Sequence, residues 1–151
     1  MDKLISEVDI VIVGQDPGNP RYADCYAFSY SNLQVNESAE SDESCSCLKI
    51  FKELRATDEA FHMPKMCDLL EWSKNGVLLM NSVLTAAYKN EGDKDYKNNL
   101  HKEWNTITGS ILVYLAKKRE GIIFMLWGQV ANENKKYIMQ AAKSVKMNPL
   151  F

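Results

Sequence analysis

A chain of 151 residues, 46% hydrophobic and 10% aromatic, fits one domain and carries enough apolar side chain for a single core. Its formal net charge of -2 supplies no global attraction to a polyanion, so any basic groove for nucleic acid has to be local. No apolar run approaches the roughly 20 residues that span a bilayer, and the start Met1-Asp2-Lys3 is not a secretory signal, so no membrane association and an intracellular protein of cytoplasm or nucleus are expected.

In chain order, Val8 to Val13 is a β-branched run ended by glycine and proline, and its near-continuous apolarity suits a strand buried on both faces. Asn36 to Ser46 is serine-rich and carries Glu37, Glu40, Asp42 and Glu43 with no base, which predicts a solvated loop. Cys47 to Leu54 reads as a helix with Leu48, Phe51 and Leu54 on one face, and Pro64 to Lys74 as a second with Cys67, Leu70 and Trp72 inward. Gly76 to Met80 is another strand, and Tyr88 to Asn99 another polar loop. From about Leu100 to Lys118 a long helix is predicted, with Trp104, Ile107, Ile111 and Leu115 inward and Lys117, Lys118 and Arg119 at its negative end. Gly121 to Leu126 is a third strand, Asn132 to Ala142 a last helix, and Ser144 to Met147 a weaker fourth strand. Strands alternating with helices predict a single α/β domain over residues 1–151, a four-stranded parallel sheet flanked by helices, with its chemistry in the loops after the strands.

Among those loops, Asp16 follows a buried strand and precedes Pro17-Gly18, where a carboxylate can orient water or stabilise a cation. A turn-forming Asp is the plain alternative. Asn81 ends the second strand, and its amide, both donor and acceptor, can read a base edge or cap a loop. Phe28 can stack on a flat ligand or belong to the core. The four cysteines, Cys25, Cys45, Cys47 and Cys67, form one C-x-C and two singletons, and without a second pair reduced thiols and no bound metal are expected.

Taken together, Val11 to Ser29 (VIVGQDPGNPRYADCYAFS), Ser46 to Leu54 (SCLKIFKEL), Trp72 to Thr85 (WSKNGVLLMNSVLT), Trp104 and Ile122 to Ala131 (IIFMLWGQVA) resemble, in order and at near-family spacing, the motifs of family 1 uracil-DNA glycosylases. The resemblance spans essentially the whole chain. It implies a base-excision repair hydrolase acting on uracil flipped out of DNA, with no metal or cofactor. Asp16 then matches the carboxylate that positions water and stabilises the oxocarbenium ion, and Gln15 a residue whose backbone holds the uracil carbonyl. Phe28 matches the stacking aromatic and Asn81 the amide that reads N3 and O4, while Ser46 and Leu150 take the places of DNA contacts.

Three departures accompany the resemblance. Where the family continues Pro-Tyr-His, with the tyrosine against C5 of the base, this chain has Pro17-Gly18-Asn19, so the gate is missing unless Tyr22 folds back to replace it. The missing gate implies relaxed selectivity or, less favoured, a 5-substituted pyrimidine. Where the family ends His-Pro-Ser-Pro-Leu, this chain ends Lys146-Met147-Asn148-Pro149-Leu150-Phe151. Matching Asn148 to the histidine is the preferred register and stops the chain before the intercalating leucine; matching Leu150 to that leucine puts Lys146 at the histidine. Losing one such donor costs about 10²- to 10³-fold in rate. The acidic stretch ending at Ser46 replaces a proline-rich loop that grips the DNA backbone, and the family's N-terminal helical region and C-terminal helix have no counterpart, which predicts an undercovered sheet face. The reading is thus a monofunctional uracil or related-pyrimidine DNA glycosylase of weakened activity. The alternative is a catalytically silent protein of this fold that binds DNA, a base or a protein partner.

Overall fold

A computed structural model describes residues 5–18, 22–35, 45–85, 101–146 and 149–151, with the backbone alone for residues 101 and 102. Most of the Asn36 to Ser46 stretch and all of the Tyr88 to Asn99 stretch lie outside those residues. The elements are β1 (Ile10–Gly14), β2 (Tyr30–Gln34), α1 (Ser46–Thr57), β3 (Met66–Cys67), α2 (Leu70–Lys74), β4 (Val77–Asn81), α3 (His101–Lys118), β5 (Ile123–Leu126), α4 (Gln129–Asn132) and α5 (Lys135–Ser144).

The β-branched run becomes the central strand because its side chains have apolar partners on both sides. β1 pairs in parallel with β4, from Ile10 opposite Val77 to Gly14 opposite Asn81, and with β5, from Ile10 opposite Ile123 to Val13 opposite Leu126. Strand alternation then divides the core in two. Val11, Val13, Met80 and Phe124 pack with Leu112, Leu115 and Ala116 of α3 and Ile138 and Ala141 of α5. On the opposite face Ile12 and Leu79 pack with Cys47, Leu48 and Phe51 of α1 and with Cys67 and Leu69. At the foot of the sheet the Arg119 guanidinium donates to the Val8 carbonyl and pairs with the Asp9 carboxylate, tying the end of α3 to the approach to β1.

Several expectations are corrected. The segment Pro64 to Lys74 is not one helix: Met66–Cys67 pairs antiparallel with β2, and α2 begins only at Leu70, whose amide donates to the Asp68 carboxylate at 2.8 Å. Cys67 is buried as expected and Leu69 is fully buried as well, while Leu70 and Trp72 are only partly so. The strand read at Ser144 to Met147 is absent from its described part. Helix α5 runs through Ser144, keeping Ile138, Ala141 and Ala142 buried, and the chain turns at Val145 and Lys146. The outer edge of β5 is instead met by Leu150, which bridges in parallel to Ile123 and accepts a hydrogen bond from the Phe124 amide at 2.8 Å. Helix α3 also shows a different face. Thr108, Leu112, Leu115 and Ala116 are buried, whereas Ile107 is 52% and Ile111 39% exposed. Gly109 faces the Tyr137 ring of α5, where a Cβ would make ordinary contact at 3.4 Å. Trp104 donates from its indole to the Thr85 hydroxyl at 2.8 Å.

Candidate active site

Because β1 and β4 end level, with Gly14 opposite Asn81, their following loops leave the sheet side by side. The Ser82 amide and hydroxyl both donate to the Gly14 carbonyl, at 2.9 and 3.1 Å, and the Val83 amide donates to the Gln15 carbonyl at 2.9 Å. From beneath, the Thr108 hydroxyl donates to the Ser82 carbonyl at 3.0 Å and the Asn134 amide donates to the Ser82 hydroxyl at 3.0 Å. Ser82, Thr108 and Asn134 are all buried, where such bonds are worth more than at a surface and a lost partner is costly. Thr108→Val should therefore lower stability by about 1–3 kcal/mol by orphaning the Ser82 carbonyl, read as a lower urea midpoint at unchanged m-value.

A second loop, residues 24–29, is organised by one carboxylate. Asp24 accepts from the Tyr26 amide at 2.8 Å, the Ser29 hydroxyl at 2.7 Å and the Ser31 amide at 3.2 Å, and the Ser29 hydroxyl in turn accepts from the buried Leu69 amide at 3.0 Å. These bonds hold Phe28 at φ 67°, a left-handed conformation that costs a non-glycine residue about 1–2 kcal/mol. The ring so presented leans on Trp127, with centroids 5.2 Å apart and planes at 54°. Asp24→Asn keeps the size but turns an NH₂ group toward the donors. It is expected to cost about 1–3 kcal/mol and to free the Phe28 loop, seen as faster amide exchange at Tyr26 and Ser31.

Between these loops lies a cavity of about 320 Å³, within the size of small-ligand sites, with Pro17, Gly18, Asp24, Phe28, Tyr30 and Asn81 in its wall. Phe28 and Asn81 converge over Gly14: a Cβ at that glycine would lie 2.5 Å from the Asn81 Oδ1 and 2.7 Å from the Phe28 Cζ. The bare backbone at position 14 is what lets an aromatic face and an amide edge share one recess. Gln15 and Asp16 lie between Gly14 and the wall residues Pro17 and Gly18, bordering the cavity without lining it; Gln15 is exposed and Asp16 half-buried.

The other residues singled out in the sequence are not gathered here. Ser46 is the first residue of α1 and does not line the cavity. Leu150, half exposed, is level with Ile123 at the amino end of β5, roughly 10 Å along the strand from its carboxyl end at about 3.3 Å per residue. Asn148 lies outside the described residues, and Lys146 is exposed in the turn after α5. Tyr22 is 37% exposed and takes no part in the wall. Conversely, Asp24, Tyr30, Ser82, Thr108 and Asn134 were not legible as site residues. Only Thr108, a polar residue on a helix turn otherwise followed by Leu112 and Leu115, carried a signal that a buried hydrogen bond was needed.

A larger groove, about 620 Å³, crosses the sheet face beside α1 and is walled by Ile10, Ile12, Ile50, Trp72, Met125 and Trp127. Its near-absence of polar groups gives it nothing with which to orient a reacting ligand, so the smaller cavity is the candidate for chemistry. Cys45, Cys47 and Cys67 are buried together, the Sγ atoms of Cys45 and Cys67 3.4 Å apart, and none of the four cysteines is in a disulfide. Burial, reinforced by the neighbouring Cys67 and Cys45, pushes the Cys47 thiol far up, which keeps it protonated and unreactive. Among the described residues no group of three or more His, Cys, Asp or Glu could hold a metal ion, and no helix is long and apolar enough to cross a membrane.

No protein-family model matches the chain. It is 33% identical over 129 residues to a uracil-DNA glycosylase of Psychromonas ingrahamii, covering 85% of this chain and 55% of that protein. It is 34% identical over 126 residues to a uracil-DNA glycosylase of human cytomegalovirus, covering 83% and 46%, and 33% identical over 146 residues to one of Tolumonas auensis, covering 95% and 60%. The chain spans about half the length of the curated relatives it matches. In fold it is similar to the crystal structure of mimivirus uracil-DNA glycosylase, with a TM-score of 0.64 and 22% identity over 97% of this chain and 49% of that one. A variant of the mimivirus enzyme in complex with UGI gives a TM-score of 0.66 at 23% identity, over 87% and 46%.

Proposed function

Since the chain is similar to uracil-DNA glycosylases, in sequence over most of its length and in fold, we propose that it hydrolyses the N-glycosidic bond of uracil in DNA. The observation that carries the proposal is the convergence of Phe28 and Asn81 over Gly14, in a cavity bordered by the Asp16 loop. A pyrimidine turned out of the base stack presents a flat face and a polar edge, and these are the two surfaces that an aromatic ring and a carboxamide complement. Phe28 stacks on the base, and Asn81 accepts from N3–H while donating to O4, a pairing that cytosine cannot return. When the C1′–N1 bond breaks, its electron pair leaves with the uracil and positive charge grows on the sugar. The Asp16 carboxylate opposes that charge and orients the water that adds to C1′, while backbone amides at Gln15 take up charge on the departing carbonyl. Extrahelical uracil in DNA is accordingly the proposed substrate. The net charge of -2 leaves any grip on the backbone to local groups, and a single strand, where no unpairing is required, is the simplest substrate on which to test release.

The test is release of uracil from a single-stranded oligonucleotide under enzyme excess. Uracil release by the native chain that Asp16→Asn slows about 10²- to 10³-fold is the expected result. Equal rates from both proteins, or none from either, would sink the catalytic reading. Saturable binding of free uracil that shifts Phe28 and Asn81 resonances without turnover would instead favour the silent base-binding alternative.

A further inference from the structure

Tyr30, the first residue of β2, is 9% exposed and sits in the cavity wall next to Gly18. A Cβ built on Gly18 would lie 2.1 Å from the Tyr30 phenol oxygen and 2.7 Å from Cε1 and Cζ. The phenol therefore occupies the volume that any side chain at position 18 would need, and the two positions are sterically exclusive. Its backbone is held on both sides: Tyr30 is registered against Cys67, the Ser31 amide is bonded to Asp24, and the Ser29 hydroxyl is bonded to both Asp24 and the Leu69 amide. The backbone that carries the ring is thus fixed beside Gly18.

A uracil ring has two polar carbonyls, one N–H between them, a nitrogen committed to the sugar, and a single apolar edge, C5–C6. With Asn81 on the N3–O4 edge and Phe28 on the ring face, as in the proposed function on which this inference rests, the apolar edge needs an apolar wall. Among the lining side chains of aromatic character, Phe28 is already spent on the face, and Tyr30 is the one whose ring fills the space over Gly18 in the cavity wall. We infer that Tyr30 is a specificity-determining residue of this pocket: its ring, housed over the bare backbone of Gly18, packs against the C5–C6 edge and bars a methyl group at C5.

The experiment compares uracil with thymine, both as free bases titrated into the protein by NMR and as single residues in single-stranded oligonucleotides under single-turnover conditions. Native protein should show uracil-dependent shifts at Tyr30 and little response to thymine. Tyr30→Ala should raise thymine release relative to uracil about 10- to 100-fold, the range that one methyl group commands in an apolar pocket, while Tyr30→Phe, which keeps the ring, should leave the ratio near native. Should Tyr30→Ala fail to fold, Gly18→Ala provides the second variant, because its Cβ must push the phenol aside and is expected to change the same ratio. Equal response of the native protein to both bases, or a ratio that neither Tyr30→Ala nor Gly18→Ala alters, overturns the inference and leaves the function standing. No response to uracil at Phe28, Asn81 or Tyr30 overturns both.

Discussion

Asp16→Asn protein is expected to release uracil about 10²- to 10³-fold more slowly than the native chain, with its affinity for free uracil unchanged. The substitution keeps the shape of the side chain and removes one negative charge. That charge matters only when the sugar becomes cationic, so the loss falls on the chemical step and not on binding. Asp16 is placed for such a role by its neighbours: Gly14 and Gln15 are tied through their carbonyls to Ser82 and Val83 at the head of β4, and Pro17 restricts the next step of the chain. A carboxylate on so short a tether cannot wander far from the recess formed by Phe28 and Asn81. Single-turnover rates with enzyme in excess, set beside a free-uracil titration, separate the two effects. A parallel fall in affinity would assign Asp16 a binding role instead.

Gly14→Ala is expected to disable the pocket more directly, lowering uracil release about 10²-fold and stability by about 1–3 kcal/mol. Gly14 is buried at the end of the central strand, so the chain cannot move to make room for a methyl group. The atoms that it would strike are the Asn81 Oδ1 at 2.5 Å and the Phe28 Cζ at 2.7 Å. Both belong to the groups proposed to hold the base, and Phe28 is already in a left-handed conformation with little slack. Strain introduced at position 14 is thus delivered to recognition and not spread through the core. Thermal denaturation measures the stability term, and uracil titration should show the affinity falling with the rate. Native-like affinity in a folded Gly14→Ala protein would mean that Asn81 and Phe28 do not share the recess.

What could be read ahead of the structure was whatever depends on short stretches of chain. The run from Val8 to Val13 identified the central strand because a strand covered on both faces must be apolar at successive positions, and β1 is flanked by β4 and β5. Phe28 and Asn81 were legible as partners only through the resemblance of the ordered motifs, since neither residue is unusual in its own segment. The misread elements share a cause. Helix α3 has two apolar stripes, and periodicity could not say whether Ile107 and Ile111 or Leu112 and Ala116 would meet the sheet. The Pro64 to Lys74 segment has helical spacing, yet the free edge of β2 draws Met66 and Cys67 into a strand. Ser144 to Met147 resembles a strand in isolation, but Ser144 completes a helix whose buried face extends through Ala142.

By itself, then, the sequence determined an α/β domain, a buried parallel strand at its centre, and a Gly14-Gln15-Asp16-Pro17 loop at the carboxyl end of that strand, because composition and local periodicity select these without reference to distant residues. Only the tertiary structure decided which tyrosine walls the pocket. Tyr22 is nearer to Gly18 in sequence but turns to solvent, while Tyr30, 12 residues from Gly18, is brought against it by the pairing of β2 with β3 and by the Asp24 bonds that fold the intervening loop. Steric exclusion between two side-chain positions is a property of space and not of spacing along the chain, and so it becomes visible only once the loop has closed.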